Sequence, residues 1–319
     1  LLAAIAVLAV AFVVLAAVPV ANADAAPTDV TKASANTAAE VTVSSVADLG
    51  EIYNKDTGVV TLTADAKWAL TADITIKKLD LAGHSLTITT KDWTAGVIKH
   101  KVTVQNDVLT NVIDAGTSAN GVVLEVKNAG FVLNDTSVGV RTQNAIDVHN
   151  TLFYLKANNA DIDLNVGTGK SIIQTGDSKT EKGTVFDLKD STLDIRSDAG
   201  IQNTYFKMDG SYLTFKHKTT TATEPGSLAG YFELSDGSTV DSDKTFLYAA
   251  FVEGGSTFDA GILSMAGSNA SISNFWGNIS QNMKMNSLDI DGTMSIAGTP
   301  TVTDIAVSGT MNIAGALTI

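Results

Sequence analysis

The sequence predicts an all-β fold in which one strand–turn–strand unit repeats along most of the chain. Of its 34 acidic residues, 27 are Asp and only seven are Glu. This bias favours turns over helices, and the many Thr, Val and Ile residues favour strands. The apolar alternation resumes in the same phase after each turn residue, a recurrence that is typical of a solenoid of stacked coils.

The N-terminal part is predicted to lie outside the folded body. Residues 1–20 are apolar and uncharged, and small residues follow up to Ala23. Residues 1–23 are typical of a secretory signal peptide; a retained membrane anchor is the alternative, because about 20 apolar residues span a bilayer. Residues 24–44 contain few large apolar side chains and are expected to form a flexible linker. The folded body is therefore predicted at 45–319, secreted or on the cell surface.

One short helix is expected where the folded body begins. Ser45 and Asp48 have the spacing of a capping box with Asp in place of Glu, and Leu49 and Ile52 follow at helical spacing. This helix is placed to cap the first coil, whose end strand would otherwise be open to pairing with another chain.

The repeating unit is an apolar alternation, a turn residue, two small or polar residues and a second alternation. Residues 79–88 set the pattern, and related segments cover 124–133, 146–155, 186–195, 206–215, 263–272, 288–296 and 305–313. The turn residues are Gly83, Asn106, Asn128, Asn150, Gly167, Asp190, Gly210, Gly237, Gly254, Gly267, Gly292 and Gly309. Their mean spacing of about 21 residues predicts one coil of a parallel β-helix per unit.

The main alternative is an antiparallel β-sandwich. Its hairpin turns would recur about every 8–12 residues, roughly half the spacing seen here. In a solenoid, the inward apolar residues of each coil stack about 4.8 Å from those of the next. The alternation is still running at Ile319, so we expect a C-terminal truncation, or an open C-terminal coil that supports self-association.

Residues 72–88, ADITIKKLDLAGHSLTI, resemble the opening coils of right-handed parallel β-helix proteins of the pectate-lyase-like superfold. Many of these open with x-I-T-I-x-x-x-L-D-L-N-G-H-x-L, and Ala82 stands where Asn is usual. With the apolar leader, this opening is similar to exported adhesin-like proteins of archaea and bacteria. The resemblance implies a right-handed β-helix and a surface location, and it implies little about activity because such folds carry many functions.

Charge and composition exclude several classes of protein. Lys and Arg total 21 against 34 acidic residues, which gives a net charge of −13. The only two arginines are Arg141 and Arg196, and so acidic a chain repels phosphate backbones, so no nucleic-acid partner is expected. The absence of Cys from the sequence removes disulfides, thiol catalysis and Cys-ligated metals. Membrane attachment is expected only through an uncleaved N-terminal segment.

Aspartates at alternating positions are the candidates for catalysis, since glycoside hydrolysis needs two carboxylates across a sugar bond. They form the sets Asp161 and Asp163; Asp187, Asp190 and Asp194; Asp241 and Asp243; and Asp289 and Asp291. We interpret them as a solvated face with turn caps. Neither arginine is flanked by the acids that a lyase of this superfold needs, and the paired-Asp, Gly-His-Gly and Arg-x-Lys signatures of related hydrolases are missing. No catalytic, cofactor-binding or metal-binding residue is therefore assigned.

No cofactor is expected, and sugar stacking has little support. The four histidines, His84, His100, His149 and His217, lack metal-ligand spacing, and His84 and His149 are expected on the surface beside turns. Asp-Gly turns at 209–210, 236–237 and 291–292 suit Ca²⁺, although the EF-hand and glycine-rich nonapeptide patterns are missing. The rings available to a sugar are Trp93, Tyr154, Tyr212, Tyr231 and Trp276. Most of them are expected in the core.

Two polar interruptions of the repeat, residues 89–100 and 219–228, are the predicted recognition loops. Together these features predict a non-catalytic, adhesin-like or structural scaffold at the cell surface. It would present its loops to a glycan, a cell or a protein partner. A secreted polysaccharide lyase or hydrolase and a surface-layer subunit are the alternatives.

Overall fold

A computed structural model describes residues 37–107, 111–138, 143–149, 151–173, 183–218, 226–252, 256–266, 278–279, 283–291, 293–296, 301–307 and 310–313. Outside these ranges lie the predicted signal peptide, Arg141, Trp276, most of the loop 219–228, and the last residues, from which self-association was predicted. Within them the chain is all-β apart from one 3₁₀ helix, as predicted, and no helix is long and apolar enough to cross a membrane.

The elements are the 3₁₀ helix Val46–Ile52 and the strands β1 Glu40–Val43, β2 Tyr53–Asn54, β3 Val59–Thr61, β4 Ala66–Leu70, β5 Ile74–Ile76, β6 Lys78–Asp80, β7 Leu86–Thr90, β8 Lys101–Asn106, β9 Ile113–Asp114, β10 Val122–Lys127, β11 Gly130–Asp135, β12 Ile146–Asp147, β13 Phe153–Asn158, β14 Asp161–Asn165, β15 Thr184–Lys189, β16 Thr192–Arg196, β17 Ile201–Asp209, β18 Tyr212–Lys216, β19 Leu228–Ser235, β20 Thr239–Val252, β21 Thr257–Ala266, β22 Asn278–Ile279, β23 Met283–Asp291, β24 Thr293–Ile296, β25 Thr301–Val307 and β26 Thr310–Ile313.

The strands form three parallel ladders. Neighbouring strands of one ladder are not consecutive in the sequence, because strands of the other ladders lie between them. The first ladder contains β1, β4, β7, β10, β13, β15, β17 and β19. The second contains β5, β8, β11, β14, β16, β18 and the start of β20. The third contains β3, β6, β9 and β12. Strand β20 then pairs in parallel with β21, β21 pairs with β23, and β23 pairs with β25.

Parallel pairing separates this fold from the predicted alternative. Among the described residues, the only antiparallel contacts join β2 to β3 and Thr94 to Val97. A sandwich built from hairpins would show the opposite balance, because its sequential strands pair antiparallel. The architecture is thus all-β with mostly parallel strands, which is consistent with a parallel β-helix.

The core is continuous along the ladders because equivalent apolar residues lie in register. One row of the first ladder contains Leu86, Leu124, Leu155, Phe186, Phe206 and Phe232, all buried. One row of the second contains Val102, Phe131, Ile162, Leu193, Leu213 and Val240, also buried. The Phe206 ring meets Phe186 edge-on at 5.3 Å and stacks on Phe232 at 4.8 Å, both within the range of favourable aromatic pairs.

The predicted turn residues do not all occupy one corner of the coil: Asn106 ends β8 and Gly167 follows β14, both strands of the second ladder. Asn128, Asp190 and Gly210, at φ of 55°, 48° and 57°, connect the first ladder to the second. Gly83, at φ 85°, and His149, at φ 49°, connect the third ladder back to the first. Each of these corners joins two strands through a turn and so has a similar local sequence pattern, and the predicted repeat therefore combined different corners into one series.

The coil length is therefore not a uniform 21 residues. Register partners in the first ladder are 38 residues apart between Leu86 and Leu124, and 31 apart between Leu124 and Leu155. The separation falls to 20 between Phe186 and Phe206. It is 17 between Met294 and Met311, the step predicted from Gly292 to Gly309.

The predicted helix forms as a 3₁₀ helix with Ser45 as its N-cap. The Asp48 carboxylate accepts hydrogen bonds from the Ser44 hydroxyl at 2.7 Å and from the backbone N–H groups of Ser44 and Ser45 at 2.8 and 2.9 Å. These hydrogen bonds lower the pKa of Asp48, and the bond from the Ser44 hydroxyl has the largest effect. Strand β1 precedes the helix, so ordered structure begins at Glu40 at the latest, inside the segment predicted as linker.

Candidate functional site

The outer face of the second ladder assembles aspartates that are distant in sequence. Asp163 of β14 is in register with Asp194 of β16, and Thr214 of β18 separates Asp194 from Asp241 of β20. These carboxylates belong to three separate sets in the sequence. Parallel pairing places them in one row, which we name the acidic row and define as Asp163, Asp194 and Asp241.

Contacts within and between strands offset part of the charge around the acidic row. Arg196 Nη2 lies 3.3 Å from Asp194 Oδ2, and the Thr214 hydroxyl donates to Asp194 Oδ1 at 2.5 Å. Lys216 Nζ lies 2.7 Å from Asp241 Oδ1 and 3.4 Å from Asp243 Oδ1. Burial lowers the pKa of Lys216, but the hydrogen bond and the charges of these two aspartates outweigh burial and raise it.

Asp163 differs from the other members of the row. Burial raises its pKa, the adjacent Asp194 charge raises it further, and Arg196 and Lys101 offset only part of the increase. Acid–base catalysis uses pairs of carboxylates that have different surroundings, and here burial and a like charge act on Asp163 while a guanidinium and a hydroxyl contact Asp194. The acidic row is therefore the one candidate catalytic feature that we identify on the second ladder.

The remaining predicted aspartates lie elsewhere. Asp187 is in register with Lys156 and Lys207 on the first ladder, a row of alternating charge. Asp190 forms the turn between β15 and β16. Asp161 accepts a hydrogen bond from the Thr192 hydroxyl at 2.6 Å, beside the acidic row. Asp289 and Asp291 belong to β23.

A second row of aspartates, which the sequence analysis missed, follows the third ladder. Asp80, Asp114 and Asp147 are in register on β6, β9 and β12. His149 Nε2 lies 2.7 Å from Asp114 Oδ1, and Lys78 Nζ lies 3.5 Å from Asp114 Oδ2. The sequence does contain a sign of this row, because each of the three aspartates directly follows an apolar residue, at 79–80, 113–114 and 146–147. We name these three aspartates the flanking row.

The environment of Asp114 is opposite to that of Asp163. Burial raises its pKa, but hydrogen bonds from Asn111 and Gly116 and the charges of His149 and Lys78 outweigh burial, so the net shift is downward. The other histidines also lie near aspartates: His84 near Asp65, His100 near Asp73 and His217 near Asp243. Nevertheless, no group of three or more His, Asp or Glu side chains within the described ranges could hold a metal ion.

The predicted recognition loop at 89–100 is described in full and projects apolar side chains into solvent. Trp93 is 36% exposed and Val97 is 48% exposed, and a bridge between Thr94 and Val97 closes the loop. Lys99 Nζ donates to the Asp92 carbonyl at 2.7 Å, and Lys91 Nζ donates to the Thr42 hydroxyl at 3.0 Å. The loop is thus held by its own contacts and by strand β1.

The aromatic rings predicted as sugar platforms separate into two groups. Tyr154 is only 1% exposed, and Tyr231 packs against the core. Tyr212 is 42% exposed on β18, in register with Thr192 and Thr239. Trp93 and Tyr212 are therefore the two rings of this set that a ligand could reach in the described part of the chain.

Comparisons with protein-family models, with curated proteins and with solved structures gave no match to this sequence. The fold and the surface features must therefore carry the functional argument on their own.

Proposed function

We propose that the chain is a right-handed parallel β-helix that serves as a non-catalytic scaffold at the cell surface and presents the loop 89–100 to a glycan or a cell-surface partner. The observation that carries this proposal is the distribution of exposed apolar side chains. Of the five large ones found among residues with described side chains, Trp93 and Val97 both belong to the loop, and the other three, Val41, Val138 and Tyr212, lie on separate segments. Exposed apolar groups concentrated at one place are typical of a binding surface.

The rest of the surface supports a structural role. Arg196, Lys216 and His149 each contact an aspartate carboxylate on the same strand or on a neighbouring coil. Such pairs contribute little stability individually, but they keep the charges of stacked coils from repelling one another. A rigid body with a structured loop at one end matches the way binding loops are commonly positioned by a scaffold.

The loop can be tested with paired substitutions. The Trp93→Ala/Val97→Ser double variant should reduce retention on a panel of cell-envelope polysaccharides and intact cells by about tenfold or more, because buried aromatic anchors dominate interfaces. Val138→Ser, another exposed apolar position outside the loop, should leave retention unchanged. Equal retention of both variants would remove the loop from the proposal.

A carbohydrate-active enzyme is the second candidate, favoured by the raised pKa of Asp163 beside Asp194. Its test is the release of reducing ends from the same polysaccharide panel. The scaffold proposal expects no turnover by the native chain, by Asp163→Asn or by Asp194→Asn. Turnover by the native chain that either variant abolishes would replace the scaffold with an enzyme.

A further inference from the structure

A lysine and an aspartate form a buried ion pair inside the protein. Lys170 and Asp135 have side chains that are 0% exposed, and Lys170 Nζ lies 3.0 Å from Asp135 Oδ2. Asp135 is the last residue of β11, and Lys170 follows β14, the strand that pairs with β11 in the second ladder. The two side chains therefore meet between neighbouring coils.

The two oxygens of Asp135 have different surroundings. Oδ1 accepts hydrogen bonds from the backbone N–H of Ser137 at 3.0 Å and from its hydroxyl at 2.5 Å, while Oδ2 faces the amine of Lys170. Two donors on one carboxyl oxygen stabilise negative charge that develops there when a nucleophile attacks the carbon. Oδ1 is thus the oxygen with donors in place for an oxyanion, and Oδ2 is the oxygen in contact with the amine.

The surrounding backbone packs closely over this pair. A Cβ added to Gly167 would come within 2.1 Å of the Ser137 carbonyl oxygen and 3.3 Å of Asp135 Cγ. Such packing holds the reacting groups in one geometry, and enforced proximity is a large part of any intramolecular rate enhancement.

Amide formation between the two groups requires a neutral amine, because an ammonium nitrogen has no lone pair with which to attack. An ion pair removed from water loses hydration free energy that its own attraction does not necessarily offset. Transfer of one proton from the ammonium to Oδ2 leaves a neutral amine beside a neutral carboxylic acid. A neutral amine is a nucleophile, whereas an ammonium group is not.

We propose that Lys170 and Asp135 condense to form an intramolecular isopeptide bond. After the proton transfer, Nζ attacks Asp135 Cγ and Oδ1 becomes an oxyanion held by the two Ser137 donors. The nitrogen then passes a second proton to the Oδ2 hydroxyl, the Cγ–Oδ2 bond breaks, and one water leaves. The amide keeps one hydrogen on nitrogen, so the ammonium and carboxylate are converted into one amide and one water, with no oxidant or other reactant.

The bond would link two coils covalently across 35 residues of chain. The sequence contains no Cys, so disulfides are not available to it for this purpose. Closing a loop in the unfolded chain reduces its entropy in the same way as a disulfide does. The linkage would make the second ladder resistant to unfolding whether or not the loop 89–100 binds a partner.

Mass spectrometry of the denatured, full-length native chain tests the proposal without depending on a variant. The chain should be lighter than its sequence by about 18 Da, the mass of one water. Trypsin does not cleave after an acylated lysine, so the digest should contain a branched peptide joining residues 128–141 to residues 157–179.

Two lysine variants complete the experiment. Lys170→Arg retains the positive charge but should restore the full sequence mass and abolish the branched peptide. Lys218→Arg is the matched control: burial lowers the pKa of Lys218 and the Asp135 charge partly offsets this, yet its side chain should not take part in the bond. The mass loss should persist in Lys218→Arg. A native chain of full mass, with separate linear peptides containing Asp135 and Lys170, would overturn the proposal.

Discussion

The coils before Ile173 and those between Thr184 and Val252 differ in how they return to the first ladder. The earlier coils pass through the third ladder, whose buried Leu79, Ile113 and Ile146 supply part of the core. From Thr184 to Val252, no described strand belongs to that ladder. There the row occupied earlier by Leu side chains contains Phe186, Phe206 and Phe232. We infer that larger rings fill the interior where the described residues form no strand of the third ladder.

The two rows of aspartates also differ, in the electrostatic surroundings of their carboxylates. In the flanking row, Asp114 has Asn111, Lys78 and His149 as neighbours, and its pKa is lowered. In the acidic row, burial and then the carboxylate on the next strand raise the pKa of Asp163. A repeat places like residues in register, but the residues beside the row decide whether the charge is stabilised.

The largest expected effect tests the role of the aromatic row. Phe206→Ala should lower the free energy of unfolding by about 3–5 kcal/mol, because it leaves a cavity between two other rings. Tyr212→Ala, at an exposed position on the adjacent strand, should change it by no more than about 0.5 kcal/mol. Denaturant unfolding monitored by circular dichroism measures both. A cost for Phe206→Ala as small as that of the control would show that the rings do not fill the core.

Asp114→Asn should have an intermediate effect that depends on pH. Because the folded-state pKa is lowered, ionised Asp114 stabilises the fold above its ordinary pKa of 3.8, and this contribution is lost as pH falls through the folded-state value. The variant should therefore cost about 1 kcal/mol at neutral pH, a value reduced by solvent screening, and should show a flatter decline in acid. Stability measured from pH 7 to pH 2 tests this. Parallel profiles for the native chain and the variant would contradict it.

The smallest effect, with the opposite sign, is expected at Asp163. Because its folded-state pKa is raised, stability falls as pH rises from the ordinary value of 3.8 through the folded-state value. Asp163→Asn should therefore stabilise the fold slightly at neutral pH and have little effect below pH 3.8. The same unfolding series measures it. A loss of stability at neutral pH would show that the Asp163 carboxylate is stabilised in the folded chain.

Local features of this fold could be predicted from the sequence. The capping pattern at Ser45 predicted the helix, and turn residues such as Asn128, Asp190 and Gly210 do adopt positive φ. Capping and turn chemistry depend on residues only a few positions apart. The alternation of apolar residues likewise predicted the buried positions of strands such as β10 and β11.

Features that depend on strand register could not be predicted. The returns between ladders vary in length, so a fixed spacing does not show that Asp163 and Asp194 lie side by side. The same uncertainty hid the contact between Lys170 and Asp135, since it depends on pairing between coils and the two residues are 35 positions apart. The third ladder was missed because its turns have the same local pattern as the turns of the first ladder.

Disulfide formation between introduced cysteines tests parallel stacking most directly. Strand β14 pairs with β16 so that Asp161 is opposite Thr192 and Asn165 is opposite Arg196. Cysteine pairs at 161/192 and at 165/196 should both oxidise readily, because neighbouring strands are about 4.8 Å apart and a disulfide spans that distance. Pairs at 161/196 and at 165/192 should not form, since four residues of strand separate them by about 13 Å. Efficient bonding of the second set, with failure of the first, would show antiparallel strands and contradict the stacked-coil account.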